Sequence, residues 1–110
     1  VASNSLHDQA KALESQIGTI LSFYDVSELP MQQKDLVTNL KHQLVDIRLD
    51  ARDYEYAQTR AEQLQHAKEG KQRLRQLQQS LLKASEYNMF GPVDVAHISA
   101  GIEQLISGME

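Results

Sequence analysis

At 110 residues, with 41% apolar and 24% charged side chains, the chain can build one hydrophobic core, and folding alone buries roughly two-thirds of the surface its unfolded form exposes. Two prolines, five glycines and 5% aromatics argue against a β-rich fold, and the lack of cysteine excludes disulfides, thiolate nucleophiles and Cys-ligated zinc. Eleven basic against fifteen acidic residues leave a net charge of −4, without the basic excess that phosphate neutralisation demands, so general nucleic-acid binding is disfavoured.

No apolar run approaches the ~18 residues that a membrane span requires, and no charged segment leads into an apolar stretch in the manner of a signal peptide. One soluble domain over 1–110 is expected, with the cytoplasm as the default compartment. The chain opens at Val1 without an initiator Met, which fits a piece of a longer chain as well as a whole one.

The first periodic segment covers about 6–24. Leu6, Ala10, Leu13, Ile17, Ile20, Leu21 and Tyr24 recur at steps of three and four, as one stripe of an amphipathic helix. Ser5 with Asp8 three residues on marks its start, since the hydroxyl can accept a free backbone N–H and the carboxylate suits the helix's positive end. The period fails between Asp25 and Leu29, and Pro30 then sits in the first turn of a second helix.

From Met31 to about Tyr87 no proline occurs, and Gly70 is the only glycine. Leu36, Leu40, Leu44, Ile47, Ala51, Tyr54, Ala57, Ala61, Leu64, Ala67, Leu74, Leu77, Leu81 and Ala84 follow a seam resembling that of a coiled coil. Lys71 and Gln72 offer no N-cap after Gly70, so the spacing predicts one long central helix over about 30–87, with a break at Gly70 as the alternative. Such a helix would span about 87 Å. Asn88, which tolerates a left-handed backbone, and Gly91-Pro92 end it. A short C-terminal helix over about 94–107 starts at Asp94, carries Val95, Ile98, Ile102 and Leu105, pairs Val93 with Ile98 as a hydrophobic staple and stops at Gly108.

Two short helices folded on so long a helix leave its middle bare, so a second chain is expected to complete the bundles. Residues 46–55 hold four acids against two arginines, while residues 66–75 hold four basic residues against Glu69. An antiparallel homodimer centred between residues 60 and 61 sets Asp46 against Arg75, Asp50 against Lys71 and Asp53 against Lys68. It also matches Leu44 with Leu77, Ile47 with Leu74, Ala51 with Gly70 and Ala57 with Leu64. A parallel pair would stack acid on acid. The expected interface is therefore Leu44, Ile47, Asp50, Ala51, Tyr54, Ala57, Ala61, Leu64, Ala67, Gly70, Lys71, Leu74 and Leu77. Tyr56 lies off this seam as an exposed contact residue.

The histidines, His7, His42, His66 and His97, fall in no strong motif. Asp94-Val-Ala-His97 has the spacing of a di-iron helix but Asp where Glu is needed, and Glu62 with His66 is an ordinary i,i+4 pair. His42, Asp46, Asp50 and Asp53 form one polar stripe that could hold Mg²⁺ or Mn²⁺ for phosphate hydrolysis. No phosphate loop, nucleophile elbow or zincin motif occurs. The preferred reading is an all-α, non-catalytic interaction or assembly protein without cofactor. Its partner is a second copy or another protein, rather than membrane or nucleic acid. A small metal-dependent phosphohydrolase using Asp46, Asp50 and Asp53 is the alternative.

Overall fold

The computed structural model describes residues 5–110, and these residues form an all-helical bundle. Four α-helices occur among them: α1 Leu6–Leu21, α2 Met31–Glu55, α3 Arg60–Glu86 and α4 Pro92–Gly108. Successive helices pack side by side, and α4 returns to α1, which closes the ring. Side-chain partners fix the directions. Glu14 meets Arg48 and His7 meets Glu55, Asp50 meets Arg73 and Gln32 meets Tyr87, and Arg75 meets Glu103 while Gly70 meets Met109, so each neighbour runs antiparallel to the last, in up-down-up-down order. None of the helices among the described residues is long and apolar enough to cross a membrane.

Local chemistry sets most boundaries as expected. Ser5 caps α1, its Oγ accepting from the Asp8 N–H at 3.1 Å. Asn88 adopts φ 59°, the left-handed conformation that ends the α3 segment. Gly91 is the N-cap of α4 with Pro92 in its first turn, so α4 starts two residues before Asp94. Val93 is 69% exposed and forms no staple with buried Ile98. Pro30 is the N-cap of α2 rather than part of its first turn, and a short 3-10 turn, Val26–Glu28, fills the connection before it.

The long helix over about 30–87 is not formed. The chain turns at Tyr56–Thr59, and α2 and α3 fold back on each other as a hairpin with the largest helix–helix interface in the molecule. A variant of the capping box makes the turn, its glutamate accepting from the residue before the N-cap. Thr59 has extended backbone, its Oγ accepts from the Glu62 N–H at 3.1 Å, and Glu62 Oε2 accepts from the Gln58 N–H at 3.2 Å. Gly70, the alternative breakpoint, lies inside α3 and is buried. A Cβ there would fall 2.9 Å from Met109 Sδ and 3.5 Å from the Asp50 Cβ, so the glycine admits the end of α4 and the flank of α2.

The core runs the length of the ring. Ala10, Leu13, Ile17 and Leu21 come from α1, and Val37, Leu40, Leu44, Ile47 and Ala51 from α2. Ala67, Leu74, Leu77, Leu81 and Ala84 come from α3, and Ile98, Ile102, Leu105 and Ile106 from α4. Met89 and Phe90 plug one end, where the Tyr24 hydroxyl donates to the Met89 carbonyl at 2.8 Å and ties the two connections together. The bundle measures 46 × 29 × 18 Å, and the 27 residues of α3, spanning about 40 Å, set its long axis.

Candidate interaction surface

The residues expected to face a second chain divide into two sets. Leu44, Ile47, Ala51, Ala67, Gly70, Leu74 and Leu77 are buried, and Tyr54 packs half-buried against the core. Their cover is supplied within the chain by the hairpin, so the bare middle of a long helix does not arise. Ala57 is half-buried, whereas Ala61 and Leu64 are exposed, Leu64 by 50%. These lie at the hairpin end with Tyr56, which is 75% exposed as its off-seam position implied.

Helix lengths explain why that end stays open. Met109, at the end of α4, reaches only as far as Gly70, so α3 from Arg60 to Glu69 continues roughly 15 Å beyond α4. On the other side of the hairpin, α1 begins beside the end of α2, where the His7 N–H donates to Glu55 Oε1 at 2.5 Å. Among the described residues nothing seats on the Tyr56 and Leu64 side chains that would bury them.

The ion pairs differ from those the charge blocks suggested. Asp50 faces Arg73 rather than Lys71, and Arg73 Nη1 donates to both carboxylate oxygens at 2.6 Å. Arg75 is held by Glu103 at 2.7 Å rather than by Asp46, and Asp53 takes Arg52 at 3.4 Å rather than Lys68. Asp50 is 4% exposed. Burial pushes its carboxyl above the usual range, against the hydrogen bond and charge of Arg73 and with the like charges of Glu69 and Asp46 adding to the rise. A partner on α3 therefore offsets the burial of Asp50 only in part.

The same commitments draw on the residues of the metal alternative. Asp50 turns to Arg73 and Asp53 to Arg52, and His42 and Asp46 lie exposed on α2. Among the described residues no group of three or more histidine or carboxylate side chains is placed to share a metal ion. One helical stripe put these residues on a common face without bringing their ligating atoms to a common point.

Sequence patterning overlooked one further feature. A cleft of about 710 Å³ runs along the outer seam of the hairpin, away from its tip, and is lined by Gln32, Asn39, Gln43, Gln76 and Gln79 together with Asp35, Ser80, Lys83, Tyr87 and Leu36. The Tyr87 hydroxyl donates to Gln32 Oε1 across it at 3.0 Å. Gln43 Oε1 is buried without a hydrogen-bond partner. The abundance of glutamine was the only trace of this cleft in the sequence, and it fitted a solvated helix face equally well. Comparison with family models, with curated proteins and with solved structures gives no match to this chain, so its functional reading rests on its own geometry.

Proposed function

We propose that this chain is a non-catalytic helical assembly protein whose partner is a second copy of itself, meeting it antiparallel at the hairpin end. The observation that carries the reading is the apolar surface left open there, off-seam Tyr56 at 75% and Leu64 at 50% exposure beside exposed Ala61, on a bundle that buries the seam residues from Leu44 to Ala51 and from Ala67 to Leu77. Among the described residues Asp46, Lys68 and Lys71 stand outside the ion pairs within the chain, and these charges of the two blocks favour the antiparallel direction, because acid on one copy then approaches base on the other.

Energetics make such a contact weak. Burying a large apolar side chain contributes about 1.5–3 kcal/mol, so four of them in a two-fold contact supply on the order of 10 kcal/mol at most before the cost of association. Reversible pairing at high micromolar or higher concentration is the expected behaviour. Sedimentation velocity from micromolar to millimolar protein tests it, with the double variant Tyr56→Ser and Leu64→Ser as the comparison. Weaker pairing in the variant supports the reading. A wild-type chain that stays monomeric over the whole range overturns it.

A further inference from the structure

We infer that the two halves of this chain, α1–α2 and α3–α4, can exchange between two copies by opening the turn at Tyr56–Thr59, so that each bundle of the dimer takes one half from each chain. The inference rests on the homodimer reading above and specifies how the second copy binds.

Three observations carry it. The first is the hinge. Four residues link the halves; they contain neither glycine nor proline, and the single non-glycine residue with positive φ among the described residues is Asn88, far from them. Nothing in Tyr56-Ala57-Gln58-Thr59 obliges the chain to turn except the capping box of Thr59 and Glu62. The second is that the contacts between the halves can be remade in trans without change. Arg73 on Asp50, Leu6 against Gly108, Tyr24 on Met89 and Tyr87 on Gln32 each join one half to the other. Arg48 with Glu14 and Arg75 with Glu103 stay within a half.

The third observation is the tip. Ala61 and Leu64 continue the apolar seam through a region where the closed hairpin leaves them uncovered. With the hinge straightened, α2 and α3 become one helix of about 84 Å, and two such helices cross antiparallel near residue 60, where Ala57 and Leu64 of opposite copies come level. The two bundles are turned about the shared axis, since Ala51 and Gly70 lie about 100° apart around a straight helix.

Closed and exchanged forms share nearly all their contacts, so the closed form prevails mainly through the proximity of its halves. A short linker gives an effective concentration of the order of millimolar, which places wild-type exchange near that concentration. Removing the cap shifts the balance twice per dimer. With roughly five- to tenfold for each hinge, Thr59→Ala with Glu62→Ala tightens the dimer about 25- to 100-fold.

The test uses the cysteine-free background of the full chain. A Cβ on Gly70 lies 3.5 Å from the Asp50 Cβ, within the range of a disulfide, so Asp50→Cys with Gly70→Cys reports whether α2 and α3 of one bundle belong to one chain. The pair is introduced with and without the hinge substitutions, concentrated, oxidised and separated by native size. Each fraction is then run on a denaturing gel without reductant. Covalent dimers from the native dimer fraction are expected. Covalent monomers from that fraction overturn the exchange while leaving a docked homodimer standing, and absence of any dimer at millimolar concentration overturns both. The hinge variant without cysteines supplies a second reading that does not depend on Gly70. A dimer no tighter than wild type in sedimentation overturns the exchange.

Discussion

Replacing Thr59 by alanine separates the two architectures this sequence can encode, because the sign of the effect differs between them. In the hairpin, Thr59 is the N-cap of α3, and its Oγ accepts from the Glu62 N–H at 3.1 Å. Truncating such a cap costs about 1 kcal/mol, within a range of about 0.5–2. In a continuous helix the same position is an exposed interior site, where exchanging a β-branched residue for alanine gains about 0.5 kcal/mol. The two expectations are about 1.5 kcal/mol apart, well outside the error of a denaturation curve. For a domain of this size the cap loss lowers Tm by about 4 °C or slightly more. Thermal and urea unfolding followed at 222 nm, at about 10 µM protein to keep association out of the measurement, give the result. Thr59→Ser and Thr59→Asp retain the acceptor and should hold the wild-type Tm. Glu62→Ala removes the reciprocal bond to Gln58 and should cost less than Thr59→Ala. A rise in Tm on Thr59→Ala at that concentration would refute the capped turn and restore the long helix.

Leu74→Ala should cost about 2–5 kcal/mol, since Leu74 is fully buried, whereas Leu64→Ala should stay within about 0.5 kcal/mol of wild type in dilute protein; equal losses at the two positions in urea titrations would show that the hairpin end is covered. Gln43→Met replaces a buried acceptor lacking a hydrogen bond with an apolar chain of similar length and should stabilise by about 1 kcal/mol, whereas a fall in Tm would show that the amide is satisfied. The Asp50 carboxyl is raised above its ordinary 3.8 by burial, so its contribution to stability is greatest below that value and is lost as pH rises through the folded-state value. Asp50→Asn should therefore compare more favourably with wild type at pH 7 than at pH 4 in urea titrations, and the opposite trend would mean that Arg73 outweighs the burial.

The all-helical class and the outer helices were legible because each rests on a local signal: the stripe of α1, the Ser5 cap, the left-handed Asn88 and the Gly91-Pro92 break. The hairpin was harder to read because its turn uses neither of the usual breakers. Two signals were nonetheless present. Thr59-x-x-Glu62 is a capping box. The seam from Ala51 through Tyr54, Ala57, Ala61, Leu64 and Ala67 to Gly70 advances almost entirely by threes, and each such step falls short of a full turn by about 60°. By Gly70 the stripe has drifted about 260° backwards around a straight helix, ending about 100° from Ala51 after crossing most of the surface, so no single face could have buried its whole length. At Gly70 the helix continues, as the missing N-cap after it implied, and what the sequence did not show is its role in letting Met109 and α2 approach.

The expected interface residues show why a sequence pattern can be right about pairing while leaving the partner open. An apolar seam that matches about a midpoint suits two helices running antiparallel; it carries no information on whether both helices belong to one chain. That choice depends on the linker, through the energy of the turn and the effective concentration it confers. Here the turn rests on two exposed hydrogen bonds of the capping box, while the pairing it selects rests on the buried leucines of α2 and α3. The weaker element therefore decides the association state of the stronger one, and substitutions at residues 59 and 62 should move that state far more than they move the stability of the bundle itself.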